Sequence, residues 1–250
     1  MTEAPLIEVR GLAMKKGPSV VQRGLDFTVC RGQVFAIIGD TGAGKSTLLR
    51  HMVGLERPAE GDVFYSGEGF WSGTEEDRER LLTRFGVLFA GGALFSTKTL
   101  LENVALKLRL HTSLADEDVL AVARLKLALL GLTGFEHHYP SEVGESRRTW
   151  AGLARATALD PEILFFEEPT ARLDPLGARR VDDVIRRLRD DLGATVVLVS
   201  NDLVSLFAVA DEAIFLDSES QTMTARGKPA HLRDHSTDPK VRAFLGGERP

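Results

Sequence analysis

Cysteine and long apolar runs are the scarcest features of this 250-residue chain. Its one cysteine, Cys30, has no disulfide partner within the chain, and its place in the run 27–30 predicts a core position in a reducing compartment. No run of about 18 apolar residues occurs, and the N-terminus has no charged segment followed by an apolar one, so we predict neither a membrane span nor a secretory signal. Any role at a membrane therefore needs a partner.

Basic residues are too few and too scattered to indicate a nucleic-acid partner. The chain has 31 Lys and Arg residues against 36 Asp and Glu residues, which gives a net charge of −5 at pH 7. With 43% hydrophobic and 27% charged residues, it is able to bury a substantial core. Composition therefore predicts a single α/β domain over residues 1–250, with a loose tail from Gly246.

A glycine-rich loop lies between an apolar run, residues 34–38, and a helix-like segment, residues 46–52. It fits the pattern G-x-x-x-x-G-K-S/T, in which backbone N–H groups and the positive end of a helix dipole face a phosphate chain. In such a loop Lys45 adds a charge at the β and γ phosphates, and the Ser46 hydroxyl is placed for Mg²⁺. The residues predicted to hold ATP are Gly39, Asp40, Thr41, Gly42, Ala43, Gly44, Lys45, Ser46 and Thr47.

Six strand-like runs occur along the chain. The first three suit antiparallel pairing, because Arg31 and Gly32 mark a turn between the second and the third. The last three are continuously apolar, as expected of parallel strands that helices cover on both faces. The runs are residues 6–9, 25–29, 34–38, 85–89, 163–166 and 195–199.

Helical spacing dominates from about residue 92 to residue 159, most clearly over residues 116–130. Because this stretch separates two predicted parallel strands, it suits a helical subdomain inserted into the core. The fold predicted from the pattern is therefore α/β, a mixed sheet with an antiparallel β edge and an inserted helical subdomain. A short extension, residues 228–250, follows the last part of the core.

Several segments after the loop resemble ABC transporter ATPase subunits, and the likeness spans nearly the whole chain. The segments with the family's motifs are residues 139–142, 153–170 and 173–175. Others are similar to the Mla/Mce-type subunits, which energise lipid transport. These are residues 89–95, 102–104, 108–112 and 238–246.

The resemblance implies an ABC-ATPase fold of the P-loop NTPase class, with ATP and Mg²⁺ as ligands. In this family two ATPase subunits face each other head to tail, and each ATP lies between one P-loop and the other subunit's signature segment. The implied partners are a second ABC ATPase subunit, a transmembrane permease subunit and, as a further candidate, a small regulatory subunit, with no nucleic acid. The implied location is cytoplasmic, peripheral on the inner membrane.

The resemblance also assigns roles at the end of the run 163–166. Glu168 takes the place of the general base that polarises the attacking water. Glu167 takes the place of an aspartate in the Mg²⁺ shell, together with Ser46. Because Glu167 is one methylene longer than aspartate and Mg²⁺ tolerates little distortion of its octahedron, we expect weaker metal binding rather than none.

Three family positions near the nucleotide carry different residues here. Ala90 replaces the glutamine that contacts Mg²⁺ and the attacking water, and alanine has neither donor nor acceptor. Asn201 replaces the switch histidine, although Asp202 after it is retained, and asparagine cannot become cationic. Lys16 occupies the place of the aromatic residue that stacks on adenine.

The signature segment departs furthest from the family, because residues 143–146 stand where LSGG is usual. Glu145 would bring a carboxylate toward the triphosphate of a facing subunit. At about 4 Å and an effective dielectric near 20, such a pair of like charges costs roughly 4 kcal/mol before screening. Arg172 is bulky for a loop that normally carries a small residue, and it either faces solvent or crowds the interface.

Two hypotheses on activity remain open at this stage. In the first, the chain is an ATPase subunit in which Glu168 activates water with reduced efficiency. In the second, it is a pseudo-ATPase that binds ATP for a structural or regulatory purpose beside a competent partner. A soluble ABC protein of repair or translation would need two nucleotide domains or a long inserted arm, and neither is present.

Overall fold

The strands form two sheets within residues 4–247, which are the part of the chain that this computed structural model describes. A four-stranded sheet has the order β2-β1-β4-β5, and a six-stranded sheet has the order β10-β9-β3-β8-β7-β6. The strands are β1 (Ile7–Lys16), β2 (Ser19–Val29), β3 (Val34–Gly39), β4 (Glu60–Tyr65), β5 (Glu68–Gly69), β6 (Phe85–Leu88), β7 (Ile163–Glu167), β8 (Thr195–Val199), β9 (Glu212–Asp217) and β10 (Thr222–Gly227).

The helices cover the faces of the six-stranded sheet and form one separate layer. They are α1 (Lys45–Met52), α2 (Glu75–Thr83), α3 (Leu100–His111), α4 (Asp116–Leu129), α5 (Glu145–Ala156), α6 (Pro175–Asp190), α7 (Leu203–Val209), α8 (Pro229–His235) and α9 (Pro239–Leu245). Short 3₁₀ turns occur at Ala90–Gly92 and Pro140–Glu142. Among residues 4–247, no helix is both long and apolar enough to cross a membrane.

The six-stranded sheet contains the predicted parallel core. The antiparallel pairing predicted for the run 34–38 is wrong, since β3 pairs in parallel with β8 and β9. The turn at Arg31 and Gly32 takes the chain from one sheet into the other instead of closing a hairpin. Strand β7 pairs in parallel with β6 and β8. Every residue of β3 and β8 is buried, which is why both strands are apolar apart from Thr195. Strand β10 joins the edge of this sheet antiparallel to β9. The predicted mixed α/β fold is confirmed.

The four-stranded sheet is the predicted antiparallel edge, but strands β1 and β2 are longer than the strand-like runs 6–9 and 25–29. The β1–β2 register shifts at several points, and Gly11 and Gly24 have positive φ angles of 55° and 59°. These irregularities break the alternation of apolar and polar residues, so the pattern shows only one end of each strand. Strands β4, β5, β9 and β10 were not predicted.

Helices α3, α4 and α5 come between β6 and β7 in the chain and share a core of their own. Leu100, Val104, Val119 and Leu127 are among its buried residues. Helix α3 begins with a capping box, in which Thr99 and Glu102 bond each other's backbone N–H groups. The inserted helical subdomain is therefore present, and the helix predicted over 116–130 is α4.

The segment after Lys228 packs on its own chain. Leu232, Val241 and Leu245 are buried against β3 and β9, and the Phe244 ring lies edge-on to Phe215 with 5.4 Å between centroids. Helices α8 and α9 therefore cover one face of the six-stranded sheet. The predicted loose tail falls largely on residues 248–250, which lie outside the described range.

The predicted core position of Cys30 is wrong, since the residue is exposed. Strand β2 ends at Val29, and the backbone N–H of Cys30 donates to Gln33 Oε1 over 2.8 Å in the turn that leads to β3. The apolar run 27–30 therefore continues one residue past the strand. Burial ends where the chain leaves the sheet.

Candidate functional site

Glycines shape the loop between β3 and α1. Gly39 ends β3, and a Cβ at this position would lie 2.1 Å from the carbonyl oxygen of Leu216. Gly44 is the N-cap of α1 with φ 86°, and a Cβ there would lie 2.5 Å from Val21 Cγ1. Gly42 has φ 88° and borders open space. The chain follows this path without strain only with glycine at these positions.

The N-terminus of α1 presents free backbone donors. No side chain caps the helix, and its first turn contains no acidic residue. The first N–H groups of a helix have no intrahelical acceptor, and the dipole makes this end positive. Ser46 and Thr47 lie half-buried in this turn. An uncapped positive helix end behind a glycine loop fits a chain of phosphates.

Lys45 is buried at the centre of this loop. Its Nζ donates to the carbonyl oxygens of Gly39 over 2.7 Å and of Asp40 over 2.9 Å, so one of its three N–H groups is left for a ligand. Burial lowers the pKa of the Lys45 ammonium from its ordinary 10.5, while the charges of Glu168 and Asp40 oppose that shift. The loop's own carbonyls thus hold the charged group where a triphosphate would lie.

Gln22 supports the loop from behind, a role that the sequence did not indicate. The side chain is fully buried, and its Nε2 donates to the carbonyl oxygens of Ala43 over 2.9 Å and of Asp217 over 3.0 Å. It therefore joins the phosphate loop to the end of β9. The contact spans 195 residues of sequence, so no local pattern was able to reveal it.

Replacing Gln22 with leucine is expected to weaken both the fold and the loop. The change leaves two buried carbonyl oxygens without a donor, which should lower the free energy of unfolding by about 1–3 kcal/mol. Because one of them belongs to the loop, affinity for ATP should fall as well. Urea denaturation and ATP titration measure the two effects, with exposed Ser19→Ala on the same strand as control. Unchanged affinity for ATP would show that Gln22 does not support the loop.

Glu168 stands directly after β7 in an unusual backbone conformation. Its φ is 46°, and its N–H donates to the carbonyl oxygen of Val199 over 2.8 Å. The carboxylate accepts from Asn201 Nδ2 at 2.7 Å and from the Asn201 backbone N–H at 3.1 Å. A left-handed non-glycine residue whose position is fixed on two sides is typical of functional sites.

The surroundings of Glu168 shift the pKa of its carboxyl upward on balance. Burial raises the pKa of the Glu168 carboxyl above its ordinary 4.5, and the charges of Glu167 and Asp202 raise it further. The Asn201 N–H and the Lys45 charge act in the opposite direction. A carboxylate with a raised pKa is a better proton acceptor when ionised, which suits a general base.

Ser46 and Glu167 are the residues available to a divalent cation. Both are half-buried, Ser46 in the first turn of α1 and Glu167 at the end of β7. Among residues 4–247, no group of three or more His, Cys, Asp or Glu side chains is arranged to hold a metal. One hydroxyl and one carboxylate, completed by phosphate oxygens and water, fit Mg²⁺, which is rarely caged by protein alone.

Asp202, which the family retains, stabilises the start of α7 and contacts Thr170. Its carboxylate caps the N-terminus of α7 by accepting from the backbone N–H of Val204 over 3.0 Å, and it also accepts from the Thr170 hydroxyl over 2.9 Å. Asn201 before it is exposed and bonded to Glu168. Asn201 therefore positions the carboxylate of Glu168, a role that the sequence did not predict for it.

The loop after β6 is tied to α5 but offers no polar side chain at Ala90, which is exposed. Arg155 donates to the carbonyl oxygens of Gly92 and Ala93, each over 2.9 Å. A Cβ on Gly152 of α5 would lie 2.7 Å from Gly92 Cα, so helix and loop are in close backbone contact. The loop is well placed, but it lacks the group that would reach a nucleotide.

Glu145 is the first residue of α5, after an N-cap, Gly144, that has no side chain. Its Oε1 accepts from Arg172 Nη1 over 2.6 Å, and Arg148 Nη2 is 3.6 Å away. The sequence left Arg172 either facing solvent or crowding an interface. The structure shows it exposed and paired with Glu145.

No aromatic side chain stands at the tip of the β1–β2 hairpin. Lys16 is the last residue of β1, is exposed and pairs with Ser19 across the turn. Between Arg10 and Asp26 the chain has no Phe, Trp or Tyr. Stacking of an aromatic ring from this hairpin on adenine is therefore excluded.

The uncapped helix end, the glycine loop and the buried lysine define the chain as a P-loop nucleotide-binding protein. Within that class, the chain belongs to the ABC transporter ATP-binding family. The family model described as "ABC transporter" matches residues 22–171, which include the loop, the helical subdomain and Glu168.

Relatives support the same assignment along the whole chain. The "Intermembrane phospholipid transport system ATP-binding protein MlaF" of Haemophilus influenzae is 34% identical over 97% of this chain and 91% of its own length. The "Probable ribonucleotide transport ATP-binding protein mkl" of Mycobacterium tuberculosis H37Rv is 34% identical over 97% of this chain and 67% of its own. The solved structure titled "Dimeric Structure of MJ0796, a Bacterial ABC Transporter Cassette" shares the fold, with a TM-score of 0.82 and 23% sequence identity. The match covers 89% of this chain and 98% of that one.

Proposed function

We propose that the chain is the ATP-binding subunit of an ABC transporter for phospholipids, and that it binds ATP with Mg²⁺ but hydrolyses it slowly. The observation that carries the proposal is the intact P-loop, with its uncapped helix end and buried Lys45, in a chain similar to MlaF over 97% of its length. The similarity to a protein named for ribonucleotide transport points to the same family but to another substrate, and MlaF is the relative matched over more of its length.

The nucleotide would be held by the residues described above. Backbone N–H groups of residues 39–47 and the Lys45 ammonium would bind the phosphates. Ser46 and Glu167 would hold Mg²⁺, which when bound neutralises developing charge on the phosphate oxygens. Glu168, oriented by Asn201, would take the proton of an attacking water.

Slow hydrolysis follows from the missing groups. Ala90 offers nothing to the water or the metal, and the segment 143–146 presents a carboxylate where the family has a serine and two glycines. A single preorganised transition-state contact is commonly worth about 10²–10³ in rate, and such losses are not simply additive. The second candidate, a pseudo-ATPase that only binds ATP, is favoured by the same two observations.

The proposed assembly follows the family. Two ATPase subunits face each other head to tail, each with its ATP against the other's α5, and both contact a transmembrane permease subunit. A small regulatory subunit is a further proposed partner. The chain would then lie at the cytoplasmic face of the inner membrane, held there by the permease.

The test measures ATP binding and phosphate release by the purified chain, alone and with any ABC subunit that co-purifies. We expect Mg²⁺-dependent ATP binding with turnover at least about a thousandfold below an ordinary 10 s⁻¹. Glu168→Gln should remove the remaining turnover without loss of ATP binding. Absence of ATP binding would contradict the proposal, and turnover that is undetectable in every mixture would favour the pseudo-ATPase.

The pH profile of the residual turnover provides an independent test of Glu168. Only the ionised carboxylate accepts a proton, and burial raises its pKa above 4.5. Turnover should therefore fall as pH decreases through this raised pKa, at a higher pH than for an ordinary glutamate. A profile that stays flat down to pH 4.5 would exclude Glu168 as the base.

A further inference from the structure

Two residues that depart from the family pattern, Glu145 and Arg172, are bonded to each other. Their charged atoms are 2.6 Å apart, although 27 residues separate them in the chain. We infer that Arg172 is a positioning residue that holds the Glu145 carboxylate away from the triphosphate bound by a facing subunit. This inference rests on the head-to-tail pairing in the proposed function.

The carboxylate needs such restraint because of where it lies. Glu145 opens α5, whose N-terminus has no capping side chain and is positive through the helix dipole. In the proposed pair, this helix end faces the phosphates of the other subunit. An unrestrained carboxylate there would repel the phosphates and compete with them for the same N–H groups.

The loop that contains Arg172 is anchored on both sides of this residue. The hydroxyl of Thr170 bonds to Asp202 over 2.9 Å, and Asp174 caps α6 through the backbone N–H of Gly177 over 2.6 Å. The loop between these anchors also begins next to Glu168, whose carbonyl oxygen accepts from the Ala171 N–H. The guanidinium therefore reaches α5 from a loop attached to the catalytic side of the site.

The electrostatic effect of the Arg172–Glu145 pair is larger when a second subunit covers it. In the single chain the side chains of Arg172 and Glu145 are 56% and 47% exposed, and exposed ion pairs contribute little to stability. A covering subunit excludes water, so the energy between the carboxylate and a nearby phosphate grows as the effective dielectric falls. The role of Arg172 therefore appears in ATP-driven association and not in folding.

The experiment measures ATP-driven association by sedimentation, with Glu168→Gln in every variant so that ATP is not consumed. Arg172→Ala is expected to weaken association at least about tenfold. Adding Glu145→Gln should return it to within about threefold of the parent, and Arg172→Lys should be intermediate. Arg186→Ala, which removes another exposed ion pair, is the matched control and should change nothing.

A purely structural role would not give this pattern. ATP affinity of the dilute, unassociated chain and its melting temperature should be the same in all variants. Loss of association in Arg172→Ala that Glu145→Gln does not restore would overturn the inference, as would unchanged association in Arg172→Ala. If the parent itself fails to associate with ATP, alone or with a co-purifying ABC subunit, the proposed pairing fails and the inference with it.

Discussion

Lys45→Ala is expected to reduce affinity for ATP by about 100-fold or more. The ammonium is the only charged donor built into the loop, and hydrogen bonds to charged groups contribute about 1.5–3 kcal/mol each. Its loss also leaves the carbonyl oxygens of Gly39 and Asp40 facing the phosphates without a cation between them. Titration with a fluorescent ATP analogue in the presence of Mg²⁺ measures the change.

The control for this variant separates charge from fold. Lys228→Ala removes one positive charge at an exposed position before α8 and should leave affinity within about twofold. Lys45→Met keeps the length of the side chain without its charge and should bind as poorly as Lys45→Ala. A Lys45→Ala protein that melts like the parent and still binds ATP within about threefold would show that the nucleotide lies elsewhere.

Strands were predictable where buried apolar residues extend over the whole strand. Strand β8 has the predicted bounds, because every residue in it is buried and all but Thr195 are apolar. Strand β9 was missed although its four apolar residues, between Glu212 and Asp217, form a run as long as the predicted run 163–166. Cys30 was placed wrongly because an apolar sequence does not show where the strand ends and a turn begins.

The candidate site was predictable to the extent that it is local. The loop 39–47 is one continuous segment, and its chemistry follows from residue types and spacing. The contacts that refine the site join distant segments: Gln22 with Ala43 and Asp217, Asn201 with Glu168, and Arg172 with Glu145. Each partner alone is an ordinary polar residue, so the chemistry appears only when the fold brings the pair together.

The contact between Arg172 and Glu145 changes the interpretation of Glu145. From the sequence alone, the Glu145 carboxylate was expected to repel the triphosphate of a facing subunit. Arg172 was a second departure from the family, with no evident relation to the first. The Glu145 carboxylate is bonded to Arg172 and has Arg148 3.6 Å away, so its negative charge at the N-terminus of α5 is compensated. The segment therefore tolerates a facing triphosphate better than the sequence predicted, although residue 144 still lacks the serine hydroxyl that would help to hold one.

Restoring the missing groups should raise phosphate release about 100-fold. The variant combines Ala90→Gln, Gly144→Ser and Glu145→Gly, and each regained transition-state contact is commonly worth about 10²–10³ before non-additivity. The structure has room for these side chains, since Ala90 is exposed and no atom lies within 4 Å of a Cβ built on Gly144. Steady-state phosphate release at saturating ATP and Mg²⁺ measures the gain.

Two further variants tie this gain to the composite site. Adding Glu168→Gln to the restored chain should remove the gained turnover, because the new contacts act only if a base activates water. Ala230→Gln, an alanine exposed on α8, is the matched control for the added amide and should leave the rate unchanged. Glycine at position 145 costs the helix up to about 1 kcal/mol, so melting must be checked. A restored chain that folds, binds ATP and still releases phosphate at the parent rate would show that the altered loop and signature are not what limits hydrolysis.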